Sequence, residues 1–131
     1  MRIGPTYLDS TALVKLVVVE PGSAALRRFL EGRDMASSAL SVTYVTRAVG
    51  RADPRAAGVA RGVLDAVKLV AIDRELLELA GRIDPPTLRS LDAIHLATAG
   101  MFGEELDSFV AYDSGLIDAA AAAGLTVESP S

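Results

Sequence analysis

The sequence predicts an α/β fold, a three-layer α/β/α sandwich around a mainly parallel central sheet. Short apolar, β-branched runs alternate with segments of helical periodicity, the pattern of strands joined through crossover helices. Half of the 131 residues are apolar while 23% are charged, which suits a globular chain with a buried core. That length accommodates one ordinary core, so residues 1–131 are expected to form a single domain.

The elements follow in order. Thr6 to Leu8 is a short apolar strand ending at Asp9, and Ser10 or Thr11 is expected to cap a helix running to about Val18. The "EPGS" stretch, Glu20 to Ser23, breaks the chain. Ser23 is expected to cap the next helix, with Leu26, Phe29 and Leu30 as its apolar stripe and Gly32 as its stop. A second strand is placed around Met35 to Ser37. Val42, Val45, Ala48 and Val49 give Ser41 to Arg51 a helical period, and "ADP" (Ala52 to Pro54) ends that helix and begins another reaching about Val67. "KLVAI", Lys68 to Ile72, is a strand, after which Asp73 caps a helix carrying Leu76, Leu77 and Ala80. "DPPT" (Asp84 to Thr87) imposes a loop before the apolar helix "LRSLDAIHLATAG", with Ser90 as its expected cap. "SFVAYD" (Ser108 to Asp113) is a strand, Ser114 to Ala123 a helix closed by Gly124, and Leu125 to Glu128 a last strand.

Composition removes several function classes. With no cysteine, disulfides, thiolate metal sites and a cysteine nucleophile are excluded, and a reducing cytoplasm suits the chain. "MRIGPTYLDS" has no basic region followed by a long apolar core, so neither a signal peptide nor a membrane span is expected. A formal charge of −4 gives no global attraction for nucleic acid, so a phosphate-rich ligand needs a local basic surface or bound cations. Arg47 and Arg51, four apart on one expected helix, and Arg55 and Arg61 on the next, are the candidates for such a surface.

Acids at strand-to-helix junctions outrank others, because open parallel sheets bind ligands beyond the carboxyl ends of their strands. Asp9, Asp73 and Asp113 occupy such junctions, and each can also simply cap its helix. Asp92 sits in the first turn of an apolar helix, where the helix dipole favours an anion but burial calls for a cationic partner. If Asp9, Asp92 and Asp113 converge, like charges about 4 Å apart repel by about 4 kcal/mol per pair at an effective dielectric of about 20, so the cluster needs a cation or a shared proton. Oxygen ligands without Cys or paired His favour Mg²⁺ or Mn²⁺ over zinc, and such a site suits phosphodiester hydrolysis. His95, the only histidine, has no second histidine with which to form a metal pair and reads as a hydrogen-bonded packing residue.

Three segments, "YLDSTALVKLVVVEPGS" (Tyr7 to Ser23), "LRSLDAIHLATA" (Leu88 to Ala99) and "FVAYDSGL" (Phe109 to Leu116), resemble in order and spacing those of PIN-domain ribonucleases, in particular VapC-type toxins of VapBC toxin–antitoxin pairs. The resemblance implies an Mg²⁺- or Mn²⁺-dependent endoribonuclease acting on RNA of the tRNA or rRNA class, a VapB-type antitoxin partner and a homodimer. It assigns the catalytic, metal-binding acids to Asp9, Asp92 and Asp113, leaves Asp73 as a cap, and gives Ser10 or Thr11 a supporting place beside the metal. Arg89, just before the Asp92 helix, is a candidate phosphate contact.

The chain departs from the family at one position. Where the family carries a glutamate after the second strand, "SSALSVTYVTRA" (Ser37 to Ala48) places Tyr44. A phenol with an ordinary pKa near 10 is a poor ligand for a hard cation at neutral pH, and its presence also removes the acid of a capping box begun by Ser41. Two functions follow: a metal-dependent toxin ribonuclease of reduced activity, or a weakened module that binds antitoxin or RNA without efficient cleavage. An aspartyl-phosphate or receiver-like enzyme is disfavoured, since "LDST" is not an Asp-x-Asp pair and no lysine follows "SFVAYD".

Overall fold

The computed structural model describes residues 4–131. Residues 1–3, part of the stretch read above for a leader, lie outside the described residues. Five strands, β1 (Thr6–Leu8), β2 (Met35–Ser38), β3 (Val67–Val70), β4 (Ser108–Val110) and β5 (Val127–Glu128), form one sheet in the order β3-β2-β1-β4-β5. Every pairing is parallel, so the expected mainly parallel sheet is wholly parallel. Seven helices are described: α1 (Ser10–Lys15), α2 (Ser23–Leu30), α3 (Leu40–Ala52), α4 (Ala57–Asp65), α5 (Arg74–Ala80), α6 (Ser90–Gly100) and α7 (Ser114–Ala122). Among the described residues, no helix is long and apolar enough to cross a membrane.

Alternation along the strands divides the helices between two faces. Leu8 and Val110 point toward a core built with Leu13, Leu26, Val45, Val49 and Ala60, which come from α1 to α4. Tyr7, Ala36, Phe109 and Ala111 point the other way, against Leu96 and Ala99 of α6 and Leu116, Ala119 and Ala120 of α7. Helix α5 packs on α6 through Leu76, Ala80, Ala93 and Ala97. The result is helix, sheet, helix.

Several boundaries differ from the sequence reading, each for a local reason. Asp9, not Ser10 or Thr11, caps α1, because its carboxylate accepts from the Ala12 N–H at 2.8 Å. Helix α1 stops at Lys15 instead of near Val18. Ser23 is the first residue of α2, and its Oγ accepts from the Glu20 N–H, so Gly22 at φ 90° takes the cap position. Arg89 rather than Ser90 caps α6, without a side-chain bond to the helix. Ala39 precedes α3, so Ser41 begins no capping box; its hydroxyl turns inward instead. The third strand starts one residue earlier than Lys68 and ends at Val70, and the last two strands are shorter than expected. Asp73 caps α5 and Gly124, at φ 89°, follows α7, both as the sequence indicated.

The interface between α1 and the α3–α4 pair is apolar and closed, with Leu13 fully buried at its centre. Leu13→Ala is therefore expected to lower unfolding stability by about 2–5 kcal/mol. Urea titration checks this, and a loss under about 1 kcal/mol would show that the site relaxes around the deletion.

Candidate active site

The sheet order places the site. After β1 the chain builds outward through β2 and β3, then returns to lay β4 on the other side of β1. The reversal leaves a crevice between the carboxyl ends of β1 and β4, the position where parallel sheets take ligands. Asp9 immediately follows β1, and Asp113 lies three residues beyond β4. Asp92 arrives from the first turn of α6.

Asp9 is buried and ordered. Its carboxylate accepts from the Ala12 N–H and from the Thr11 hydroxyl at 3.0 Å to both oxygens. Burial pushes its carboxyl up to about 6 against the pull of those hydrogen bonds, with the negative charges of Asp92 and Asp113 adding to the rise. Asp92 is half-buried and also raised, first by burial and then by Asp113, while the positive charge of Arg89 works in the opposite direction. Asp113 is exposed and caps α7 through the Leu116 N–H at 3.1 Å. The three acids thus share one field. Among the described residues, neither Asp9 nor Asp92 has an ion-pair partner, and no three His, Asp or Glu side chains form a ready-made ligand cluster.

A pocket of about 340 Å³ opens above Asp9 and Asp92, lined also by Ser10, Thr11, Tyr44, Arg89, Leu91 and His95. Six of the seven residues singled out from sequence therefore meet in one cavity; Asp113 stands outside its lining but within electrostatic reach. Tyr44, half-buried and packed on the α1–α4 core, forms part of the wall. Tyr112 also lies in the field of Asp9, and its phenol is raised by burial and then by that charge. Its hydroxyl donates to the Pro130 carbonyl at 2.8 Å.

Beneath the pocket runs a buried hydrogen-bond chain that the sequence reading only half saw. Tyr7 Oη lies 2.7 Å from His95 Nδ1, and His95 Nε2 lies 2.9 Å from Ser10 Oγ. Ser10 Oγ meets Ser41 Oγ at 2.9 Å, and Ser41 Oγ meets Ser37 Oγ at 2.8 Å. Ser37 Oγ donates to the Leu8 carbonyl at 2.7 Å, and the Ser10 backbone N–H donates to His95 Nε2 at 3.3 Å. Burial pulls His95 down to about 4, so the ring is neutral near pH 7. The packing reading of His95 holds. Ser37 and Ser41 escaped the sequence reading; a lone buried histidine needing partners was the available signal.

The opposing shifts fix a pH signature. Asp9 is raised in the fold, so its contribution is complete below about pH 4 and is lost as pH climbs through 6, about 3 kcal/mol at neutrality. His95 is depressed, so its contribution is complete above about pH 6.5 and is lost by a similar amount as pH falls toward 4. The two slopes oppose in one window. Asp9→Asn, which can still cap α1, is expected to raise stability at pH 7 by about 1–3 kcal/mol in metal-free buffer and to expose a decline on acidification. Chemical denaturation from about pH 4 to 7 measures both; a variant no more stable than the parent at pH 7 would contradict the buried-charge account.

Comparisons with known proteins agree with this architecture. The family model of the PIN domain matches residues 6–122, and the chain belongs to the PIN-domain family, within it to the VapC type. It is 45% identical over 126 residues to ribonuclease VapC46 of Mycobacterium tuberculosis, covering 95% of this chain and 97% of the relative. Among solved structures, it superposes on Mycobacterium tuberculosis VapC20, a toxin that cleaves the sarcin–ricin loop, with a TM-score of 0.75 and 18% identity, covering 95% of this chain and 99% of that one. A toxin–antitoxin complex from Klebsiella pneumoniae gives a TM-score of 0.73 at 20% identity over 96% of this chain and 98% of that one. At those identities the structural matches speak for the fold.

Proposed function

We propose that the chain is a toxin endoribonuclease that hydrolyses RNA phosphodiester bonds with Mg²⁺ or Mn²⁺ at Asp9, Asp92 and Asp113. The observation that carries this reading is the meeting of Asp9 and Asp92 in one pocket at the sheet's switch point, with Asp113 in the same field and, among the described residues, no ion-pair partner for Asp9 or Asp92. The donor chemistry fits a hard divalent ion, since the acids offer only carboxylate oxygens. A bound cation would supply Lewis acidity toward a phosphate oxygen and would make a water a better nucleophile. The identity to ribonuclease VapC46 over nearly both chains supports the substrate class.

The chain's own groups have separable tasks. Thr11 and the Ala12 N–H fix both oxygens of Asp9, so the carboxylate enters the pocket already oriented. Ser10 lines the pocket and belongs to the buried chain under Asp9, so it supports the floor of the site. Arg89, in the lining, is placed to meet the negative charge of a phosphate. Tyr44 adds no carboxylate to the wall, which lowers cation affinity relative to a site with a fourth acid. Residues 1–131 act as one domain in the cytoplasm, as a homodimer held silent by a VapB-type antitoxin; similarity to a toxin–antitoxin complex supports the partner.

Tyr44 also favours a second reading, in which the fold binds antitoxin or RNA with little cleavage. Incubating the purified chain with structured tRNA and rRNA fragments and Mn²⁺ separates the two. The nuclease reading expects cleavage that Asp9→Asn and Asp92→Asn reduce at least about 100-fold, and that Tyr44→Glu increases. Cleavage that survives Asp9→Asn would remove the proposed site. Cleavage seen only in the Tyr44→Glu variant would establish the binding module instead.

A further inference from the structure

Helix α3 carries Tyr44, Arg47 and Arg51 at spacings of three and four, so their side chains share one face. With Leu40, Thr43 and Leu91 they line a groove of about 320 Å³. Tyr44 and Leu91 also line the acid pocket, which makes the two depressions neighbours across a shared wall. Arg47 and Arg51 are exposed, and among the described residues neither has a carboxylate within ion-pair distance. On a chain of net charge −4 this is a local concentration of free positive charge beside a concentration of negative charge.

The two halves treat a phosphate oppositely. The acid pocket repels it unless a cation is present, while the groove attracts it unaided. Tyr44 stands at the boundary, anchored on the α1–α4 core and only half-buried, so part of its ring is available to a flat partner. From Tyr44 to Arg51 the helix advances about 10 Å, enough to set more than one phosphate contact beside one stacking contact. A carboxylate in place of Tyr44 would offer no stacking surface and would extend the negative pocket toward the arginines.

We propose that this groove is a subsite for single-stranded RNA next to the cleavage position, with Arg47 and Arg51 on backbone phosphates and Tyr44 stacked on a base. The proposal rests on the nuclease reading for its substrate class. It assigns Tyr44 a binding role where the family pattern has an acid, and it expects tolerance of base identity, because every base offers a π-face.

The test is fluorescence anisotropy with fluorescein-labelled oligouridine and oligoadenosine RNAs of about 12 nucleotides, in EDTA so that no cleavage intervenes. Replacing both arginines (Arg47→Gln with Arg51→Gln) is expected to weaken binding at least about 10-fold at low salt. Between about 50 and 200 mM NaCl it should also flatten the slope of log affinity against log salt by about 1.4. Tyr44→Phe should bind within about 2-fold of the parent and Tyr44→Ala about 10-fold more weakly, with thermal melts confirming that each variant is folded. No RNA binding by the parent chain, or unchanged affinity and slope in the double variant, overturns the proposal. So does a Tyr44→Phe loss as large as that of Tyr44→Ala, or a double variant that keeps RNA but loses its antitoxin, which would make the groove a protein-binding surface. Cleavage in Mn²⁺ reports separately: arginine-dependent binding without cleavage sinks the nuclease reading alone, and cleavage with arginine-independent binding sinks the subsite alone.

Discussion

A continuous chain of hydrogen bonds, linking the Tyr7 hydroxyl through His95, Ser10, Ser41 and Ser37 to the Leu8 carbonyl, ties both helical layers to the sheet. It starts on β1, crosses to α6, returns to α1, passes to α3 and ends on β1 by way of β2. No buried side-chain nitrogen or oxygen among the described residues lacks a hydrogen-bond partner. Around it the aromatic rings are fixed too: Tyr7 stacks on Phe109 of the neighbouring strand at 5.4 Å and meets His95 edge-on at 5.7 Å. A satisfied network of this kind specifies one arrangement, because any shift of α1, α3 or α6 orphans a buried polar group.

The position of the acids follows from that arrangement. Asp9 is the residue after Leu8 and before Ser10, so both of its chain neighbours are held by the network while its own carboxylate is held by Thr11 and Ala12. Asp92 precedes His95 by one turn of α6, so fixing His95 fixes the turn that presents Asp92. The fold thereby keeps two carboxylates together against their repulsion and against the cost of burying Asp9. Charge held in this way is a standing demand for a cation, since binding one relieves a penalty that folding has already met.

The sheet and the order of elements were legible in the sequence because period and punctuation are local signals. β1, the alternation of strands and helices, and the Asp73 and Gly124 helix ends needed nothing beyond neighbouring residues. Caps misread at Ser10 and Ser23 share a cause: each serine's hydroxyl is engaged elsewhere, by His95 and by the Glu20 N–H. Asp9 displaced Ser10 because the histidine claimed the serine's hydroxyl, and Glu20 claimed Ser23. The grouping of Asp9 with Asp92 could be inferred from strand ends and resemblance, but the hydroxyls beneath them join residues up to 88 positions apart. No local pattern encodes that pairing.

Tyr44 shows how a fixed scaffold makes one position consequential. Helix α3 is anchored by Ser41 in the network and by Val45 and Val49 in the core, so the residue between those anchors must face the acid pocket whatever its chemistry. On the reading proposed above, an acid there would add a fourth carboxylate to Asp9, Asp92 and Asp113, whereas a tyrosine gives the pocket wall a flat face without one. The same helix repeats the outward direction at Arg47 and Arg51, so a neutral Tyr44 also separates the negative pocket from the positive groove. Because Ser41, Val45 and Val49 are buried while Arg47 and Arg51 are exposed, the outward chemistry of α3 can change with its buried anchors unmoved, which is what would let cation binding and RNA binding, as proposed above, be tuned separately on one helix.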